Sequence, residues 1–336
     1  MAELRRDPLI GRWVLAGFAE DPDPGRLLES LKGAPPEEGC VFCEGKETLT
    51  PPETYSIRKR DSLANRPGWE VRVFPNRATD LTLGELDKRG QGGLYDLQNA
   101  RGIHETLVET PDHKTRLSQL SVSQIVNILK TYQSRNIEHK KNHLLKSFMV
   151  LRNQGPGPEG EHAHSEVISL PFLPRTLAKE ISGSKRYHDL KGRCVFCDMI
   201  SEEMRLNSRI ILETNHYLAW SPFAARFPFE AWVIGKEHQS DFMSIDQGTL
   251  TDLAQLLKNL FEKLEKLLKD SPISFIIHTA PLRGGVMEDC SYVSGAFHWH
   301  IEIFPNAFPT AGFEWASDFF MSPLTPEQCA AALKDV

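Results

Sequence analysis

The string Cys40-Val41-Phe42-Cys43 recurs unchanged as Cys194-Val195-Phe196-Cys197, and each copy is followed downstream by a His-x-His, His162-Ala163-His164 and then His298-Trp299-His300. Two thiolates separated by a two-residue gap reach one ion from a tight turn, and zinc takes four tetrahedral Cys or His ligands. A histidine from the middle of each repeat completes two sets: Cys40, Cys43, His113 and His162, then Cys194, Cys197, His238 and His298. Four protein ligands leave no coordination position for water, so the expected role of both ions is structural rather than Lewis-acid catalysis. His104, His216 and His278 are rival ligands. His113 is preferred over His104 because Pro-Asp-His stands where Lys-Glu-His stands in the second half. A thioredoxin-like redox pair is the competing reading of a CxxC, and the doubled order with histidines argues for metal. Cys290 and Cys329 are left over.

These residues must be positioned by elements, and the elements also repeat. Each half reads in the same order: Cys pair, β-rich stretch ending in a histidine, amphipathic helix, apolar strand, loop, then His-x-His opening a further strand. The strand candidates are the Val71–Asn76 run VRVFPN and the His104–His113 run in the first half. In the second they are HYLAW and EAWVIGKEH, ending at Trp220 and His238. Ser121-x-x-Gln124 and Ser244-x-x-Gln247 predict capping boxes. Ile125, Ile128, Leu129 and Tyr132 then form one apolar helix face, and Leu250, Leu253, Leu257, Leu260, Leu264 and Leu268 a longer one. SFMVLRN and SFIIHTA read as buried strands, and VISLP and IEIFP follow the histidine motifs. Because alternate strand residues share a face, His162 and His164 emerge on one side, one for metal and the other for a different task. The halves are assigned to residues 1–173 and 194–336, joined by a polar linker over 174–193 with one short helix. The first half alone carries an insertion near Thr79 to Gly102 that includes the glycine-rich RGQGG.

Composition narrows the function class. With 40% hydrophobic and 25% charged residues the chain is that of a globular protein, and 22 prolines with 23 glycines suggest many loops. A net charge of −6 and the lack of a Lys/Arg cluster interleaved with aromatics argue against a nucleic acid polymer as partner. No apolar run reaches bilayer length and the first residues lack a signal-peptide pattern, so the expectation is a cytoplasmic protein without a membrane partner.

Several segments in order resemble the galactose-1-phosphate uridylyltransferases and their relatives, including plant-type ADP-glucose phosphorylase, within the histidine-triad superfamily. They are RRDPLIGRWVL from Arg5, the Cys40 pair, VFPN at Val73 to Asn76, TPDH at Thr110 to His113 and NQG at Asn153 to Gly155. HAHSEVISLP from His162, FPFEAW from Phe227 and FHWHIEIFP from Phe297 complete the set. The resemblance implies an α+β fold of two tandem histidine-triad-like halves, each an antiparallel sheet with a packed helix, forming a pseudo-symmetric unit. It implies His164 as the nucleophile that attacks the α-phosphorus of a nucleotide sugar, giving a covalent nucleotidyl-histidine that a sugar phosphate or phosphate then discharges. It points to Phe74 and Asn76 as nucleoside contacts, and to Asn153, Gly155, Gly160 and Glu166 around the phosphates. The cofactor is zinc at two structural sites, and the partners are a nucleotide sugar with a sugar phosphate or phosphate. A homodimer is compatible with the pattern.

Three features depart from the family. Glu166 stands where the family carries glutamine, and an ionised carboxylate cannot donate to a phosphoryl oxygen. It needs a proton, or a cation such as Arg152 or Arg175. The segment AEDPDPGR from Ala19 replaces the usual arginine pair that holds the sugar phosphate, with Arg26 off register. The serine of the phosphate loop is also missing. These departures keep two other readings in play: a phosphorylase or hydrolase of nucleotide sugars or dinucleoside polyphosphates, and a zinc-stabilised nucleotide-binding protein without transferase activity.

Overall fold

The apolar runs of both repeats form antiparallel strands in the computed structural model, which describes residues 3–6, 13–16, 39–76, 79, 81–84, 95–113, 116–155, 162–269, 271–283, 291–306 and 312–336. In chain order the strands are β1 (Glu3–Arg6), β2 (Trp13–Ala16), β3 (Tyr55–Arg58), β4 (Trp69–Pro75), β5 (Asp96–Asn99), β6 (Ile103–Val108), β7 (Ser147–Gln154) and β8 (His164–Leu170). The second repeat adds β9 (Ile210–Glu213), β10 (Tyr217–Trp220), β11 (Ala231–Gly235), β12 (Ile273–His278) and β13 (His300–Pro305). Helices are α1 (Val122–Lys140), α2 (Arg175–Lys191), α3 (Val195–Leu206), α4 (Gln247–Leu268), α5 (Val293–Ala296), α6 (Gly312–Ser317) and α7 (Pro326–Lys334).

The two halves share one ten-stranded sheet in the order β3-β4-β6-β8-β7-β12-β13-β11-β10-β9. Read outward from the middle, both halves repeat the same order, so β7, β8, β6, β4 and β3 correspond to β12, β13, β11, β10 and β9. The join is the antiparallel β7–β12 pair, from Ile273 opposite Gln154 to Ile277 opposite Val150. Ser274 Oγ donates to Asn153 Oδ1 across it at 2.7 Å. A separate three-stranded sheet runs β2-β1-β5.

One face of the large sheet carries α1 and α4, which pack against each other. Their apolar stripes meet Val71, Val73, Leu107, Val150 and Val167 of one half and Val233, Phe275, Ile277, Ile301 and Ile303 of the other in a single core. Trp299, between the histidines of the second motif, is fully buried in that core. Strand alternation then sends the remaining side chains to the opposite face. That face is covered in the second half by α2, α3 and α5, around Ile181, Phe196, Trp220, Ile234 and Phe297. In the first half it holds a small cluster of Trp69, Phe74 and Val108 with Phe42 packed on it.

Two local expectations are corrected. The linker over 174–193 is a 17-residue helix, α2, ended by Gly192 at φ 68, and it packs on α5. Its apolar positions, Leu177 and Ile181, are buried at helical spacing. At the helix starts, Ser121 does accept from the Gln124 backbone N–H, but the Gln124 side chain donates to the carbonyls of Glu70 and Glu109, so half of that box forms. Ser244 caps nothing: α4 starts later, with Asp246 accepting from the backbone of Gly248 and Thr249. A carboxylate is the stronger acceptor and also favours the positive end of the helix dipole.

Candidate functional site

Each Cys pair meets its two histidines. In the first half Cys43 Sγ lies 3.5 Å from His113 Nδ1 and 3.8 Å from His162 Nδ1, and Cys40 Sγ lies 3.6 Å from His162 Nδ1. In the second, Cys197 Sγ lies 3.3 Å from His238 Nδ1 and 3.9 Å from His298 Nδ1. Within each set all four ligand atoms lie within 4.8 Å of one another. A tetrahedron around zinc, with bonds of about 2.0–2.3 Å, has edges of about 3.3–3.8 Å, so both donor sets have the size and chemistry the ion requires. The histidine tautomers agree. His162 Nε2 lies 2.7 Å from the Thr110 carbonyl and His238 Nε2 lies 2.8 Å from the Ser294 carbonyl. A carbonyl only accepts, so both protons sit on Nε2 and Nδ1 is left to bind metal. Burial pushes the His162 imidazole below its ordinary range, which keeps it neutral. The rivals join neither set. His104 and His278 pair with carboxylates, and His216 is exposed.

His164 opens β8 immediately after this cluster. Its Nδ1 lies 2.7 Å from the His162 carbonyl, so Nδ1 carries the proton and Nε2 holds the free lone pair. The ring is half-buried, tilted 5.4 Å from Phe42, and among the described residues its Nε2 has no hydrogen-bond partner. Strand β8 is pinned from the helix side. Tyr132 donates to Ser165 at 2.6 Å, Ser165 donates to Glu109, and Arg152 Nε lies 3.0 Å from both Glu109 oxygens. Register then defines the floor in front of His164. Val108 lies opposite it on β6, Thr106 opposite Glu166, and Phe74 opposite Thr106 on β4, all on one face. Leu151 on β7 lies opposite Glu166 from the other side. A cavity of about 560 Å³ lies near the start of β6, lined by Asn76 and His104 and by Arg135, Glu138 and His139 of α1; Phe74, Thr106, His164 and Glu166 do not line it.

Glu166 is paired, but not with the cations expected. Its Oε2 lies 3.2 Å from His104 Nε2, and His104 Nδ1 lies 2.9 Å from Thr79 Oγ1. The His104 imidazole holds the carboxyl below its ordinary range. Arg152 is committed to Glu109 on the other face, and Arg175 is exposed at the start of α2. Both were candidates on charge alone; strand alternation removes Arg152, because Leu151 rather than Arg152 shares the face of Glu166.

The second motif is built alike and closed. His300 Nδ1 lies 3.1 Å from the His298 carbonyl. Its ring, fully buried, stacks on Trp232 at 4.9 Å and 22° and touches Phe196 at 5.0 Å and His278 at 4.9 Å. Glu302, in the place of Glu166, is met by Arg226 Nη2 at 2.6 Å, and Arg226 also binds Glu230. Burial works against the Glu302 charge, but His278 and Arg226 hold the carboxyl below its ordinary range. Glu180 of α2 completes the group, 2.7 Å from His278 Nδ1.

With this geometry in hand, comparison with known proteins decides the family. The profile of the galactose-1-phosphate uridyl transferase N-terminal domain matches residues 2–174, and that of the C-terminal domain matches residues 180–305. The chain belongs to the galactose-1-phosphate uridylyltransferase family. It is 31% identical to an ADP-glucose phosphorylase of Arabidopsis thaliana over 99% of this chain and 93% of that protein. It is 26% identical to a galactose-1-phosphate uridylyltransferase of Thermotoga maritima over 100% of this chain and 98% of that one. A crystal structure of an Arabidopsis thaliana ADP-glucose phosphorylase with bound ADP-glucose superposes with a TM-score of 0.74 at 28% identity, covering 100% of this chain and 99% of that one. A uridylyltransferase structure gives 0.80 at 26% identity, covering 99% and 97%.

Within this family fold, the residues singled out from sequence divide clearly. Phe74, Glu166 and His164 share the floor. Asn76 follows β4, its backbone N–H bonded to the His104 carbonyl at 2.8 Å, and Asn153 is exposed on β7 beside the join of the halves. Gly155 follows β7, while Gly160 and the rest of the glycine-rich loop lie outside the described residues, as do the acidic segment from Ala19, Arg26 and Cys290. Sequence reasoning missed Thr106 and His104 as site residues. The repeat itself contained the signal for Thr106, because aligning the two histidine motifs puts Trp232 in its place. Among the described residues no helix is long and apolar enough to cross a membrane.

Proposed function

We propose that this protein is a nucleotidyltransferase that moves a nucleoside monophosphate from a nucleotide sugar to a phosphate-bearing acceptor through a covalent intermediate on His164. The observation that carries the reading is the His164 ring, with Nδ1–H tied to the His162 carbonyl and an Nε2 that has no partner among the described residues, on a half-open sheet face. The Nε2 lone pair attacks the α-phosphorus, the bond to the bridging oxygen breaks, and sugar 1-phosphate leaves. The Nδ1–H bond to the carbonyl favours the positive charge that develops on the ring. An acceptor phosphate oxygen then attacks the same phosphorus and the P–N bond returns its electrons to Nε2. In this reading Phe74, Asn76, Asn153, Gly155 and Glu166 are the substrate contacts, Phe74 and Glu166 from the floor that His164 shares.

Cys40, Cys43, His113 and His162, and Cys194, Cys197, His238 and His298, are the zinc ligands of this reading. Zinc there supplies structural cross-linking rather than Lewis-acid chemistry, since every donor position is filled by protein. His162 belongs to the first donor set and its own carbonyl accepts from His164 Nδ1, so that set also fixes the carbonyl that orients the nucleophile.

Two acceptors divide the family relatives. Uridylyl transfer to a hexose 1-phosphate follows from the uridylyltransferases. The identity of 31% to an ADP-glucose phosphorylase supports inorganic phosphate as a second reading. Incubation with α-labelled UDP-glucose and ADP-glucose is expected to leave acid-labile label on the wild type and none on His164→Ala. Chasing the label with phosphate or with galactose 1-phosphate identifies the acceptor. Label that survives in His164→Ala sinks the nucleophile assignment. Metal analysis is expected to find about two zinc per chain and about one in Cys194→Ser/Cys197→Ser.

A further inference from the structure

This inference rests on the nucleotidyl-transfer reading and concerns how its site meets a phosphate. Glu166 stands two residues beyond His164 on the same face, so in the nucleotidyl-transfer reading it lies beside the phosphoryl group that His164 attacks, and an ionised carboxylate there only accepts. The groups facing it are set by register. On its own strand they are His164 and Ile168; on β6, Thr106 opposite and His104 on the diagonal; on β7, Leu151 opposite with Met149. Among the described residues the titratable ones are therefore His164 and His104, with neither an arginine nor a lysine. Arg152 of β7 points to the helix layer, ion-paired with Glu109 and 5.9 Å from the Phe261 ring. The contrast is Glu302, the same position in the other half, which Arg226 neutralises at 2.6 Å.

His104 nevertheless orients the carboxyl group. His104 Nδ1 lies 2.9 Å from the Thr79 hydroxyl oxygen, and the ring turns Nε2 towards Glu166 Oε2 at 3.2 Å. One carboxyl oxygen thus has the His104 ring in front of it without a formed hydrogen bond, and among the described residues Oε1 has no partner. We propose that Glu166 takes up one proton, on Oε1, as an anionic nucleotide binds, and that the resulting carboxylic acid donates to a phosphoryl oxygen as a glutamine amide would. An O–H bond forms at Oε1 as the bond to hydrogen in a solvent or buffer acid breaks, leaving its conjugate base; no covalent bond of the nucleotide changes, and the enzyme gains one positive charge as the phosphate charge arrives. In the free protein His104 keeps the carboxyl ionised near neutrality, so the proton is acquired with the ligand rather than held beforehand. Increasing pH then weakens binding, because each nucleotide must draw its proton from a more dilute pool.

Calorimetric titration of the intact protein with ADP and with UDP counts this proton. It is done at roughly pH 8, where the nucleotide's own phosphates are ionised, in two buffers of different ionisation enthalpy. The wild type is expected to take up about one proton more per nucleotide than Glu166→Gln, and to lose about tenfold in affinity per pH unit relative to that variant. Glu166→Ala, with neither charge nor donor, is expected to bind more weakly than Glu166→Gln at every pH. A merely structural role of Glu166 changes affinities but not the proton count. Equal counts in wild type and Glu166→Gln, with both binding, overturn the proposal and leave nucleotidyl transfer standing. If neither nucleotide binds, both readings fall. Normal proton uptake without label on His164 refutes the covalent reading alone.

Discussion

The two His-x-His centres have the same backbone plan and opposite access to solvent, and a small number of side chains account for the difference. Thr106 and Trp232 occupy matching positions, opposite Glu166 and Glu302 on the neighbouring strand. Trp232 stacks flat on His300, while the shorter Thr106 makes no such contact and His164 is half-buried. The two CVFC phenylalanines diverge likewise: Phe196, on α3, is 5% exposed in the cluster with Leu177 and Ile181 of α2, whereas Phe42 lies half-open over His164. An imidazole can be a nucleophile only where a substrate can reach its lone pair, so duplication supplied two candidate nucleophiles and packing retired one.

The largest effect that tests this comparison is expected from Thr106→Trp. Filling the floor before His164 is expected to lower kcat/KM for nucleotide-sugar turnover at least about a hundredfold, with an unchanged circular dichroism spectrum. Trp232→Thr is expected to leave labelling of His164 intact and, because access separates the centres, to let label appear on His300 as well; a His300 that becomes accessible to solvent and still takes no label would break that idea. Next in size, Phe196→Ala is expected to cost about 3–5 kcal/mol in urea unfolding, because it empties a buried aromatic cluster. Phe42→Ala is expected to cost about 1 kcal/mol. Equal costs would show that the first centre is as tightly packed as the second.

A third contrast lies on the helix side. Glu105 is buried in the first half, its carboxylate held by Arg135 at 2.8 Å and His139 at 3.0 Å, where the second half has Ala231. Burial opposes the charge, but hydrogen bonds from His139 and Arg135 draw the carboxyl down to about 2. A depressed folded-state pKa stabilises the protein above the unfolded carboxyl pKa and stops doing so as pH falls through the folded value. Glu105→Gln is therefore expected to lose about 3 kcal/mol at neutral pH, with the gap to wild type closing as the pH falls from about 4.5 towards 2. A gap that stays constant over that window removes the carboxylate from the account.

Much of the site could be read before any fold was known, and the reasons are local. The Cys pairs and His-x-His motifs carry their chemistry in residue type and short spacing, and the leucine stripe of α4 declares its buried face by period. Partner choice was less legible. Arg152 was a reasonable cation for Glu166 by charge, yet strand alternation aims it at Glu109. His104 entered as a rival metal ligand and emerged as the group that orients Glu166. The segment 174–193 read as a polar linker because its exposed side is charged, while Leu177 and Ile181 are buried on the other.

The sequence by itself determined that there are two related halves, two four-ligand clusters and one family to which both belong, since each follows from identities repeated along the chain. Only the tertiary structure decided that β7 and β12 join the halves into one sheet, that α2 and Trp232 seal the second histidine, and that Glu166 faces a histidine rather than an arginine. Those outcomes depend on which faces meet across many residues of separation. Pairing between distant strands is set by the packing of the whole sheet, which local residue spacing does not encode.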